Sequence, residues 1–194
     1  MLAIKLIESR IIVRYPELLG KTSIKGLPKD IEGARALFHE DPWDFEYWVA
    51  VHLLEGRPPV GKTKESMKGA DKGIDGIITL VTDIENGQNI YGKAVVQVKG
   101  GHLQRGQVAT FKSDVDTAGA ASGIFVCLES PTGPMKEEAA KAGMVRTKFG
   151  EFPKIQLLTV DELIRGQRPK LPGMISSYKQ AGAAITEVPQ ASLL

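Results

Sequence analysis

Several features that would decide a function class are scarce in this 194-residue chain. It has one cysteine, Cys127, so no disulfide can form within the chain. That residue lies in the apolar run "GIFVCLES", where a buried thiol and a reducing compartment are expected. The net charge is only +2, which excludes nucleic-acid binding driven by bulk charge; any basic surface must be local. No apolar run approaches the length of a membrane span. The first residues, "MLAIKLIESRIIVRYPELLG", interleave charges with aliphatics and lack the uninterrupted apolar core of a secretory signal. A cytoplasmic protein without a membrane partner is therefore expected. Extensive internal repeats and low-complexity tracts are absent as well. What remains is ordinary for a globular domain, with 42% hydrophobic and 25% charged residues.

The pattern of elements predicts an α/β fold. Residues 2–14 read as helical, and a short helix begins near Pro28. Asp41 and Pro42 are a good N-cap and first helical residue for a helix running to Gly56, with Phe45, Trp48, Val49, His52 and Leu53 on one face. A Gly-, Pro- and Lys-rich loop runs to about residue 73. "IDGIITLVTD" and "YGKAVVQVKG" read as strands joined by a turn at Asn86-Gly87. A helix over 107–119, a strand "GIFVCLE", a helix "PMKEEAAKAG", a strand "KIQLLTV" and a short helix "VDELIRG" follow. The tail from Gln167 reads as irregular in part. This order predicts a sheet with helices on its faces. Three segments are expected: residues 1–27 as a helical or linker segment, 28–170 as the main domain, and 171–194 as a tail.

"GRPPVGKT", residues 56–63, fits a phosphate-loop pattern at every specified position. The context that gives the motif its chemistry is missing. A helix precedes it, and Pro58 and Pro59 remove two backbone donors. A flexible basic loop is the better reading.

The strand "AVVQVKGG" poses the sharper question. Gln97 and Lys99 are two residues apart, so a strand directs both to one face. A buried lysine is costly unless paired. Asp75 opens the preceding strand between Gly73 and Gly76, where it has little to pack against, and a hairpin brings that strand beside Gln97 and Lys99. Glu46 comes from the long helix expected to pack on the same sheet. Two carboxylates, an amide oxygen and an ammonium are then expected at one end of the sheet. Such a set suits metal-assisted phosphodiester hydrolysis, with Mg²⁺ as the natural oxygen-seeking cation and Mn²⁺ as a substitute. Lys62, Lys64, Lys68, Lys72, His102 and Arg105 flank this place and are candidate contacts for DNA phosphates. For each group a solvated or packed structural role is the alternative.

The series Glu46 … Gly73-Ile74-Asp75-Gly76 … Gln97-Val98-Lys99 resembles the Mrr-like branch of the PD-(D/E)XK restriction-endonuclease superfamily. The resemblance implies a restriction-endonuclease-like fold with a mixed central β-sheet flanked by helices. It implies Asp75, Gln97 and Glu46 as metal ligands and Lys99 as the catalytic lysine. The second carboxylate usual in that family is Gln97 here. "GLPKDIEGARALFHEDPWDFEYWVAV", "KGADKGIDG", "VKGGH" and "SPTGPMKEEAAKAG" are closer still to the nuclease-like region that follows the catalytic domain in some bacterial site-specific DNA methyltransferases. By that likeness "MLAIKLIESRI" resembles the last helix of a methyltransferase domain. The expectation is a Mg²⁺-dependent endonuclease acting on double-stranded DNA, linked to restriction-modification and working as a homodimer. The alternative is a non-cleaving DNA-binding or accessory domain of a DNA methyltransferase.

Overall fold

The computed structural model describes residue 7 and residues 10–18, 26–61 and 73–175. Residue 7 and residues 10–14 are helical, and Pro16–Leu18 forms a single 3₁₀ turn. The rest of the expected first helix lies outside the described residues.

Helix α1, Ile31–Glu40, starts where the Asp30 side chain accepts the Gly33 N–H at 2.8 Å. Helix α2, Pro42–Tyr47, follows directly. The Asp41 carboxylate accepts the N–H groups of Trp43 and Asp44, which satisfies donors that a helix start leaves unpaired. The α-helix expected to reach Gly56 does not continue. Trp48–Leu53 is a π-helix, and the Leu54 N–H reaches back five residues to the Val49 carbonyl. The wider turn lets the consecutive residues Trp48, Val49, Ala50 and Val51 all be buried. A 3.6-residue period would bury only part of such a run.

Strands β1, Gly76–Glu85, and β2, Gln88–Lys99, form the expected hairpin, longer at the turn than the sequence suggests. Asn86 and Gly87 both have positive φ, as a two-residue type I′ loop requires. Helix α3, Arg105–Thr117, leads to β3, Ser122–Cys127, which is buried throughout. Helix α4, Gly133–Ala140, is followed by a small hairpin of β4, Met144–Thr147, and β5, Gly150–Pro153. The sequence reading contained no strands there. Strand β6, Ile155–Thr159, and helix α5, Val160–Ile164, come next. A two-residue strand β7, Met174–Ile175, arises in the segment expected to be irregular.

The main sheet has the order β6–β3–β2–β1–β7. Strands β2, β3 and β6 are parallel, whereas β1 is antiparallel to β2 and to β7. This is the expected mixed sheet flanked by helices. Each face has its own core. Ala94, Val96 and Val98 of β2 pack with α1, α2, the π-helix and α5. Val95 packs with Val108, Phe111 and Val115 of α3 and with Met135 of α4. A side chain at Gly76 would come within 2.9 Å of the Ala50 Cβ, so its absence seats the π-helix directly on β1. Arg57, in the phosphate-loop-like segment, makes a two-bond antiparallel bridge to Ile77 and so extends the sheet rather than forming an anion cradle. Among the described residues no helix is long and apolar enough to cross a membrane.

Candidate functional site

The α2 end of the sheet holds Asp75. It sits just before β1, and its N–H donates to the Val96 carbonyl at 2.7 Å. Its Oδ2 accepts the Val98 N–H, also at 2.7 Å. That amide points toward β1, where the next rung of the ladder would otherwise take it, so the carboxylate completes the sheet beyond the end of the strand. Asp75 is 9% exposed. The expectation that it has little to pack against is corrected here, because a buried backbone donor depends on it. Glu46 of α2 is half-buried and lines one cleft with Asp75, Trp43, Tyr47 and Pro58. The cleft holds about 10 Å³, room for roughly one water. The fold thus brings together Asp75 and Glu46, as the sequence suggests.

Gln97 has a different neighbourhood. It is 6% exposed and, by strand alternation, lies on the Val95 face that α3 covers. Its amide nitrogen lies against Gly73, close enough that a Cβ on Gly73 would collide with it. The Asp114 Oδ2 of α3 is 3.2 Å from the same point. Gly73 has φ +60, a left-handed conformation unfavourable for residues with a side chain. The local sequence therefore needs glycine twice over, for its backbone angle and for the space the Gln97 amide fills. Burial raises the pKa of the Asp114 carboxyl above its ordinary value, so its charge is held at some cost.

Lys99 ends β2 and is half-buried, and it makes no ion pair among the described residues. It follows Gln97 on the same face. His102 is exposed, and its carbonyl accepts from the Gln107 side chain. Arg105 was expected to reach toward phosphates, but its Nε is paired with Glu138 of α4 at 3.1 Å. Its charge is partly committed to holding α3 against α4. Lys62, Lys64, Lys68 and Lys72 lie outside the described residues.

Does this donor set fit Mg²⁺? The ion requires near-octahedral oxygen ligation and brings several waters with it. Asp75 commits one oxygen to a backbone amide, and Gln97 turns its nitrogen toward Gly73 and Asp114. Among the described residues no three of His, Cys, Asp and Glu are grouped to hold a metal. The described residues thus bring two carboxylates together, Asp75 and Glu46, with no third His, Cys, Asp or Glu grouped with them. Cys127 offers no alternative ligand, because burial first and Glu162 second push its thiol up to about 12.

Asp114 is the residue that sequence reasoning missed. It stands three residues after Phe111 and directly before Val115, both buried against the sheet. A carboxylate at that helical spacing belongs beside the core-facing stripe, and this was the available signal. Trp43 and Tyr47 were likewise not read as walls of the Asp75 cleft.

Comparison with curated proteins gave no significant match, and comparison with solved structures gave none. A family profile does match residues 61–165, more than half of the chain. That span contains Asp75, Gln97, Lys99 and Asp114 but not Glu46. Its description names a restriction-endonuclease fold, in keeping with a mixed central sheet flanked by helices. The chain belongs to the family described as NACHT-associated inactive Restriction Endonuclease 1.

Proposed function

We propose that this chain is a restriction-endonuclease-like module that does not hydrolyse DNA and instead serves as a DNA-binding or accessory domain. The observation that carries the reading is the placement of Gln97. An amide stands where the nuclease pattern has a carboxylate, and its nitrogen packs on Gly73. The family's description as inactive supports the same reading. Lys99, without an ion pair among the described residues, is a point charge suited to a phosphate. The family's description as NACHT-associated makes a NACHT-bearing protein the first partner to test, with a DNA methyltransferase second on the strength of the sequence resemblance.

The competing proposal is a Mg²⁺-dependent endonuclease of Mrr-like type, working as a homodimer. The shared Asp75–Glu46 cleft favours it. Supercoiled plasmid incubated with the purified chain and millimolar Mg²⁺ or Mn²⁺ separates the two. Plasmid that stays supercoiled while duplex DNA is retained in a binding assay is the expected result. Nicking that disappears in Asp75→Ala would establish the nuclease. Binding by phosphate contacts should fall linearly with log salt, and Lys99→Ala should reduce the slope by about 0.9.

A further inference from the structure

The main sheet closes its two edges differently. On the β1 side, β7 and the Arg57 bridge take up backbone groups. On the other side no strand pairs with β6 among the described residues. The Gly123 N–H donates to the Lys154 carbonyl, which fixes the parallel ladder so that Gln156 and Leu158 direct their N–H groups to β3. Ile155 and Leu157 therefore direct their N–H and C=O groups away from β3; Ile155 is only 4% exposed, so the half-buried Leu157 is the accessible position. The edge is closed at both ends: Pro153 has no N–H to offer, and the Thr159 N–H donates to Glu162. What remains is a short open edge with a definite beginning and end.

That edge forms the floor of a groove of about 640 Å³. Lys136 and Ala140 of α4 wall it on one face of the sheet. Arg168 and Lys170 wall it on the other, where the Gln156 amide holds the Lys170 backbone by a reciprocal pair of hydrogen bonds at 2.8 and 2.9 Å. The groove's acidic groups are already engaged: Asp161 pairs with Arg165, and Glu162 accepts from Thr159. Lys136 and Lys170 have no side-chain partner among the described residues. The uncompensated charge of the slot is therefore positive.

We propose that the open β6 edge takes up an extended, acidic segment of a partner protein as an added strand. Main-chain hydrogen bonds to Leu157 would supply affinity, and Lys136 and Lys170 would select acidic side chains on either face. The proposal is independent of whether the domain cuts DNA. Edge addition needs only an extended stretch about as long as β6, so a linker or tail of a partner suffices.

An array of labelled peptides of about eight residues, with Asp or Glu alternating with Val, Ile, Thr or Phe, provides the probe. An array with Lys in place of the acids is the control. Fluorescence anisotropy should show binding to members of the acidic array at least tenfold tighter than to their Lys counterparts. Binding should weaken at least tenfold in the Lys136→Glu/Lys170→Glu double variant, whose changes are confined to the groove walls. The Leu157 amide should exchange more slowly with the peptide bound. Leu157→Pro removes one outward donor at an edge position that leaves the ladder to β3 intact, and should abolish binding. No acidic peptide bound, equal binding of both arrays, or indifference to the charge reversal would each overturn the proposal. A dimer of the chain alone that is lost in Leu157→Pro would overturn it too, in favour of a second copy as the occupant.

Discussion

Two groups of polar side chains flank the junction of β1 and β2, and they are held in different ways. Asp75 and Glu46 share a cleft with α2, and Asp75 is tied down by the Val98 amide. Gln97 and Asp114 both lie close to Gly73 on the face covered by α3. A nuclease centre needs such groups to converge on one ion. Here each has a structural use: Asp75 finishes a sheet and Gln97 fills the space left by a glycine. The difference teaches that residues in the order of a nuclease pattern can also be held in place by sheet closure and by packing on a glycine.

The largest effect is expected at the glycine on which the Gln97 amide packs. Gly73→Ala adds left-handed strain to a collision with the Gln97 amide, and should destabilise the fold by about 3 kcal/mol. Gly119 has nearly the same φ, +59, with nothing within 4 Å of its missing side chain. Gly119→Ala should therefore cost only about 1 kcal/mol. Urea denaturation of both variants measures the difference. Equal losses would mean that the Gln97 contact contributes nothing.

Gln97→Glu comes next. It restores the carboxylate of the nuclease pattern but places it in a buried site beside Asp114. A loss of about 2 kcal/mol at neutral pH is expected from the buried charge and its like-charged neighbour. Millimolar Mg²⁺ should not recover it. Melting curves with and without metal check this, and rescue by metal would show that the two groups can converge after all.

Asp75→Ala should cost about 1–2 kcal/mol, because it strands the buried Val98 N–H. Asp75→Asn keeps an acceptor and should recover most of that loss. Chemical denaturation of the pair distinguishes a structural carboxylate from one that serves a ligand alone. In the latter case both variants would melt like the parent.

The smallest effect is a pH dependence. The Asp114 carboxyl titrates above its ordinary value of 3.8 in the folded state, so the folded chain binds more protons than the unfolded one between those two values. Stability should fall as pH rises through that window, and the penalty is complete above the folded value. Asp114→Asn has no such penalty. Its Tm should match the parent below the ordinary Asp range and exceed it slightly at neutral pH. A lower neutral-pH Tm for the variant would show that the carboxylate beside Gln97 is net stabilising.

Most of the central sheet was legible because its strands carry strong signals. The Asn86-Gly87 turn, the aliphatic run of β3 and the "KIQLL" strand each identify themselves by composition and length. The β4–β5 hairpin was not legible, since its strands are four residues each and none of their residues is fully buried. Strand β7 exists only because β1 offers an edge at Thr79 and Leu80, which is a tertiary fact. The π-helix was hidden because Phe45, Trp48, Val49 and Leu53 satisfy an α-helical face as well. At the site, the order from Glu46 to Lys99 anticipated that Asp75 and Glu46 line one cleft. The turning of Gln97 toward Asp114 depends on a glycine two dozen residues earlier and a helix that follows, and no local pattern records it.

Calorimetric titration of the purified chain with Mn²⁺ tests the central claim most directly. If Asp75 and Gln97 serve the sheet and the glycine turn, no binding heat should appear at millimolar metal, and Asp75→Ala should give the same flat trace. Saturable binding that Asp75→Ala removes would contradict the account and return the site to metal chemistry.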